Sequence, residues 1–292
     1  MKFWEKPLKT IFKIYARKPV RKFQSASIEL VLKRSLHMLD DQTIAELKAF
    51  IKNHHTIKGG FADRAGTCDL YYTLFGGYIA EALDMKEIMP SLKAYVKNVA
   101  QTNDLNGVHL HTAAILYAKL FDAETFPEPL KVKVRHDLLD LDNKQGAYSG
   151  FMSMLSFYYL DDYYGLYMVQ QRLKNIGHRT EIPCSATAAQ FVLQECFKKP
   201  RQSLETQLYT LYLNDGSFKA ISRAPSGDLL STGVALYALR FANSDIRIIA
   251  PACLSYIDSL FSGGGFCATV YDVQPDVEYT FYGLLALGSL SD

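Results

Sequence analysis

Two kinds of apolar pattern alternate along the chain. In the first, apolar and aromatic residues fall on every side of a helix: LYYTLFGGYIAEAL (70–83), LHTAAILYAKLF (110–121), ATAAQFVLQECF (186–197), STGVALYALRFA (231–242) and EYTFYGLLALGSL (278–290). Helices of that kind are buried. In the second, apolar residues recur at helical spacing on one side and charge fills the other, as in DDQTIAELKAFIKNHH (40–55) and PSLKAYVKNVAQ (90–101). Those are surface helices. No segment shows the period-two alternation of β-branched residues that a half-buried strand needs. The pattern therefore predicts an all-α protein with an inner layer of apolar helices and an outer layer of amphipathic ones.

A glycine-aromatic beat precedes several inner helices: KGGFADRAGTCDLYYT (58–73), KQGAYSGF (144–151), NDGSFKAISRAPSGDLLST (214–232) and SGGGFCATVYDVQPDVEYT (262–280). Three of these end in the same phrase, an aspartate four residues before a threonine: Asp69 and Thr73, Asp228 and Thr232, Asp276 and Thr280. Weaker copies without the aspartate end at Thr112 and Thr187. The unit recurs at roughly 40–48 residues, the signature of a repeat architecture. The aspartate is a helix N-cap, accepting from the free N–H groups of the first turn. The likeness of the first unit, DLYYTLFG, to the last, DVEYTFYG, predicts that the two ends of the array meet.

Composition narrows this picture. A chain of 292 residues, 49% hydrophobic and 21% charged, is ordinary for a globular protein. The five cysteines include no CxxC pair, which argues against a disulfide scaffold or zinc ribbon and for a reducing, cytoplasmic setting. No apolar run is long enough for a membrane span, and the N-terminus lacks a signal-peptide pattern. The first 23 residues carry eight Lys and Arg against Glu5 alone, so with an overall charge of +2 the rest of the chain is net acidic. Residues 1–24 are predicted to form a basic amphipathic helix, with Phe3, Trp4, Leu8, Ile11, Phe12, Ile14 and Tyr15 on one face, and 25–292 a single domain. Two readings of that helix stand side by side: peripheral docking on an anionic membrane through residues 2–22, or packing against the body of the protein. The acidic remainder argues against nucleic-acid binding.

The repeat phrases resemble the prenyltransferase β-subunit and squalene/terpenoid cyclase repeat. DRAGTCDLYYTLFG is similar to the D-K-P-G…D-x-Y-H-T-L-F-G segment of protein prenyltransferase β subunits. NDGSF resembles the D-G-S-W of squalene cyclases. PDVEYTFYGLLALGSL is similar both to the D-x-C-Y-S/T helix of the former and to the P-D-V-D-D-T loop of class II cyclases. The resemblance spans about residues 45–292. It implies an α/α toroid, a two-layer ring of helical hairpins around a central cavity, that binds an isoprenoid or other hydrophobic small molecule and transfers or cyclises it.

The departures from the family shape the expected site. Its zinc ligands are replaced: Asp276 matches the aspartate, but Glu278 stands at the cysteine, and Tyr72 or Tyr279 at the histidine. No metal and no cofactor is therefore expected, since zinc sites favour Cys and His. Class II cyclases protonate an alkene with the middle carboxyl of D-x-D-D, where this chain has Glu278, with Asp276 two residues before it. Neighbouring carboxylates and burial both raise a carboxyl pKa, as a general acid requires. Glu278 and Asp276 are thus the expected catalytic pair, and helix capping by Asp276 is the plainer alternative. The resemblance puts Tyr72, Tyr279, Phe75, Tyr282, Asp69, Asp228 and His111 at the substrate. It also makes the loop cations Arg64, Arg223, Lys58 and Lys219 the candidates for a diphosphate. DDYYG (161–165) and DLDN (140–143) look like fragments of acidic motifs, but the first reads better as a polar helix edge and the second as a turn or cap. Two alternatives stay open: a toroid without catalysis that binds a lipid or a protein partner, and a polysaccharide-active toroid.

Overall fold

The computed structural model describes residues 5–102, 104–139, 146–173, 182–199 and 202–291. They are mostly helical. The helices are α1 (Glu5–Ser25), α2 (Ile28–Leu36), α3 (Asp41–His54), α4 (Leu70–Ala82), α5 (Met89–Gln101), α6 (Gly107–Leu120) and α7 (Glu128–Leu139). They continue as α8 (Gly146–Tyr159), α9 (Tyr163–Arg172), α10 (Cys184–Cys196), α11 (Gln202–Thr210), α12 (Leu229–Phe241), α13 (Ala250–Asp258) and α14 (Val277–Leu290). The only named strands among these residues are two short antiparallel pairs: β1 (Phe61–Ala62) with β2 (Cys68–Asp69), and β3 (Phe261–Ser262) with β4 (Gly265–Phe266). The acidic fragment at 140–143 lies outside the described residues, as do Lys2, Phe3 and Trp4.

The helices that are apolar all round are α4, α6, α8, α10, α12 and α14. Each packs on the next, and α14 packs back on α4. The amphipathic helices flank them: α3 on α4, α5 on α6, α7 on α8, α11 on α10 and α13 on α14. Helix α2 packs on α14 and α4, and α1 runs along α9 and α10. Pro7 sits in the first turn of α1, where its missing N–H is not needed, whereas Pro19 lies inside the helix.

The repeated phrase has a specific structural job. Asp69, Asp228 and Asp276 accept from the backbone N–H of Tyr72, Ser231 and Tyr279 at 2.9, 2.8 and 2.8 Å. Four residues on, each threonine hydroxyl donates to the aspartate carbonyl and accepts from the N–H of a buried phenylalanine. Thr73 holds Phe61 at 2.9 Å, Thr232 holds Phe218 at 2.9 Å and Thr280 holds Phe266 at 3.1 Å. The glycine two residues before each phenylalanine turns the chain in the left-handed region, with φ of +92° at Gly59, +92° at Gly216 and +83° at Gly264. A Cβ on Gly216 would also meet the Ala252 carbonyl oxygen at 2.1 Å, so glycine is required on both counts. The weaker units lack this clamp: Thr187 bonds only the Pro183 carbonyl, and the buried Thr112 hydroxyl has no partner among the described residues.

Candidate functional site

The N-terminal ends of the inner helices surround an open mouth. Its cavity is about 560 Å3 and is lined by Asp63, Asp69, Tyr71, Tyr72, His109 and Tyr148, among others. Beneath it lies a narrower cavity of about 90 Å3, walled by α4, α8, α10, α12 and α14 and touched by Ile28 at the start of α2. Tyr71, Tyr148 and Tyr282 border both spaces. The Tyr71 and Tyr148 hydroxyls stand 3.4 Å apart. The wall where the first and last units meet is aromatic: Phe75 lies 4.9 Å from Phe281 and 5.6 Å from Tyr282, centroid to centroid.

Glu278 stands in the first turn of α14, close enough to the phenols of Tyr71 and Tyr72 for both to favour its charged form. Burial pushes its pKa up from 4.5 to about 7, and the nearby negative charge of Asp276 adds to the rise. The two phenols and Arg64 pull the other way and do not offset it. Burial also lifts the Tyr279 phenol to about 12, with the Glu278 charge contributing next.

Asp276 is only 3% exposed and fully engaged. One oxygen caps α14, and the other takes a charge-assisted hydrogen bond from Arg64 Nε. The same guanidinium reaches Asp272 at 2.6 Å and lies over the Tyr279 ring at 5.3 Å. A loop cation from the first unit thus clasps two aspartates of the last. Asp276 is a capping and ion-paired residue, and Glu278 is the carboxyl whose pKa burial lifts to about 7.

The expected site residues divide accordingly. Tyr72 and Asp69 line the mouth, Phe75 the inner cavity, and Tyr282 both. Asp228 lines neither, because it caps α12 and accepts from the Ser231 hydroxyl at 2.9 Å. Tyr279 lies under Arg64 instead of facing the cavity. His111 was expected at the substrate but is buried between α6, α7 and α8. It bonds Ser156 Oγ at 2.9 Å through Nδ1 and Asp137 at 2.9 Å through Nε2. The order is that of a Ser-His-Asp triad, but Ser156 is fully buried, lines no described cavity and donates to the Met152 carbonyl. Acyl transfer has no access there. The diphosphate candidates are displaced as well. Arg64 is held by its two aspartates, Lys58 and Arg223 are exposed, Lys219 donates to the Ser222 carbonyl at 3.5 Å, and none of the four lines the mouth. Asp162 of DDYYG caps α9, where the sequence suggests only a polar helix edge.

Several lining residues were missed in the sequence: Asp63, His109, Tyr148 and Ser185. HLHT did offer a signal. Residues two apart on a helix point to different sides, so only one of its histidines could turn inward; that is His111, and His109 stands at the mouth, 4.0 Å from Asp69. Among the described residues no three His, Cys, Asp or Glu side chains converge on a point that a metal would occupy. Comparison with known protein-family models and with curated proteins gives no match.

Proposed function

We propose that the chain is an α/α toroid of the prenyltransferase and terpenoid-cyclase type, which takes an uncharged, oxygen-bearing isoprenoid into its mouth and protonates it from Glu278. The return of contacts from α14 to α4 supports the toroid. The observation that carries the function is the Glu278 carboxyl, lifted by burial to about 7 and placed beside the phenols of Tyr71 and Tyr72, which line the mouth.

A carboxyl with a pKa near the working pH holds its proton and can still release it, which suits general acid catalysis. It is a weak donor toward a carbon–carbon double bond. A hydroxyl or epoxide oxygen is the better acceptor. In the step, a phenol of Tyr71 or Tyr72 gives its proton to that oxygen and takes the proton of Glu278. The C–O bonding pair leaves with the oxygen. The resulting carbocation faces Phe75, Phe281 and Tyr282, whose ring faces stabilise positive charge. The substrate's own double bond can attack it, which moves the charge to a new carbon, and loss of a neighbouring proton to water in the mouth ends the sequence in a double bond. Water in the mouth then reprotonates Glu278. Among the described residues Asp63 and Asp69 line this mouth and no Lys or Arg does, which favours an uncharged substrate over a diphosphate.

A second reading has its own support. The inner cavity, about 90 Å3, is small beside the mouth's 560 Å3. Such a narrow space favours a toroid without catalysis that holds a lipid end or a protein segment at the mouth.

Product analysis with labelled isoprenoid alcohols and epoxides, alongside farnesyl diphosphate, separates the two readings. Conversion of the uncharged substrates is expected, lost in Glu278→Gln and declining as the pH rises through about 7. Saturable binding without product, unchanged in Glu278→Gln, selects the non-catalytic reading. Conversion of the diphosphate alone overturns the proposal.

A further inference from the structure

Helix α1 has two apolar stripes, and only one is covered. The covered stripe is Phe12, Ala16, Pro19 and Phe23, spaced by three and four residues. Phe12 packs against Tyr164 and Tyr167 of α9 at 5.1 and 5.3 Å. Phe23 is 2% exposed, between Tyr158 at 4.6 Å and Phe241 at 6.3 Å. The other stripe, Ile11, Ile14 and Tyr15, is 47%, 69% and 62% exposed, with only the Tyr15 ring touching α9, at 6.1 Å from Tyr167. At 3.6 residues per turn, Lys18 falls between Ile11 and Ile14, Arg21 and Arg17 flank the stripe on the Ile14 side, and all three cations are exposed. Among the described residues none of the three is ion-paired, whereas Lys22, turned toward the body, reaches Glu195 at 3.4 Å. The sequence grouped Phe12 with Ile11, Ile14 and Tyr15 on one face; packing separates them.

The place of this face in the fold gives it direction. Phe23 rests on Tyr158 and Phe241, at the C-terminal ends of α8 and α12, and the Tyr237 hydroxyl donates to the Ala26 carbonyl at 2.9 Å. Ile28 then closes the inner cavity from below. Helix α1 therefore lies at the end of the inner helices away from the mouth. Ile248, 92% exposed and next to Arg247, follows α12 at that same end.

We infer that the outer face of α1 docks this end of the protein on an anionic lipid bilayer. Exposed cations interleaved with isoleucine and tyrosine suit the headgroup boundary, where the apolar groups enter the acyl region and the cations meet anionic lipid. An acidic protein or a nucleic acid would reward the cations but not the isoleucines. No described helix is long and apolar enough to cross a membrane, so the attachment is to one leaflet. It stands independently of the chemistry proposed for the mouth.

The test is co-sedimentation of the full chain with phosphatidylcholine vesicles, with and without phosphatidylserine. Binding to the serine-containing vesicles alone is expected, weakening with salt. At about 1 kcal/mol per cation near the surface, Arg17→Glu, Lys18→Glu and Arg21→Glu together reduce it by at least a hundredfold. Ile14→Asp weakens it without changing the charge of the three cations. Lys219→Glu, in a loop at the mouth end, leaves it unaltered. The α1 positions are exposed and Lys219 is half-buried, so each variant is compared at an unchanged helical circular-dichroism signal. Equal binding to neutral vesicles, full binding by the triple variant, or self-association through this face without lipid would each overturn the inference.

Discussion

Two glutamates at opposite ends of the inner helices are both largely shielded from water, and their pKa values move in opposite directions. Glu278 at the mouth is pushed up to about 7. Glu29, in α2 at the far end, is lowered from 4.5. Burial is the largest influence on both, and it raises both. The difference lies in their company. Glu29 accepts from Lys119 and from the Tyr159 hydroxyl, the latter at 2.6 Å, and Lys119 also reaches Glu81 at 2.8 Å and lies over the Tyr78 ring at 4.5 Å. Glu278 has phenols beside it, but its nearest cation, Arg64, is engaged by Asp276 and Asp272. Desolvation sets the size of the problem for a carboxyl, and the partner decides whether it is solved by pairing or by keeping the proton. One end of the molecule is thereby fastened and the other left with a proton to give.

Removing the partner at the fastened end should have the largest effect. Lys119→Met leaves Glu29 shielded and unpaired, and is expected to lower stability by roughly 3–5 kcal/mol in urea unfolding. Adding Glu29→Gln should recover much of that loss. If the single variant unfolds like the parent, the contrast between the two ends collapses.

The mouth behaves in reverse. Between pH 4.5 and about 7 the folded chain keeps a proton on Glu278 that the unfolded chain has released. Its contribution is therefore fully present below 4.5 and lost as the pH rises to about 7. At about 1.4 kcal/mol per tenfold change in proton affinity, the loss is up to roughly 3 kcal/mol. Glu278→Gln should match the parent below pH 4.5 and exceed it in stability above pH 7. Equal stability at both pH values would mean that the carboxyl is not desolvated.

A smaller effect separates strong units from weak ones. Thr280→Val leaves the buried Phe266 N–H without its acceptor and should cost about 1–3 kcal/mol. Thr112→Val removes a buried hydroxyl that has no partner among the described residues, and should be neutral or stabilising. Thermal unfolding of the two variants side by side checks this. The smallest shift in titration is expected from Arg64→Gln, which in stability also leaves the buried Asp276 without its cation. It withdraws the weakest of the pulls that hold Glu278 down, so the carboxyl should titrate slightly higher by NMR.

Much of the fold is legible in the sequence, for local reasons. Asp69, Asp228 and Asp276 read as caps because capping needs only the aspartate and the turn that follows it. The inner helices read as buried because their apolar residues leave no polar side. The site is less legible. Arg64 and Asp276 lie far apart in the chain, and nothing near Arg64 says that it meets the last unit instead of a ligand. Likewise HLHT contains two equally suitable histidines, and only the position of Asp137 on α7 and Ser156 on α8 draws His111 inward.

By itself the sequence determined the all-α class, the alternation of buried and surface helices, and the glycine, aspartate and threonine that start three of the inner helices. These follow from periodicity and from bonds within a few residues of one another. Only the tertiary structure decided which carboxyl keeps its proton, which cation is spent on an ion pair, and which stripe of α1 stays exposed. Desolvation and pairing depend on groups brought together from distant parts of the chain, and no local pattern records their distances.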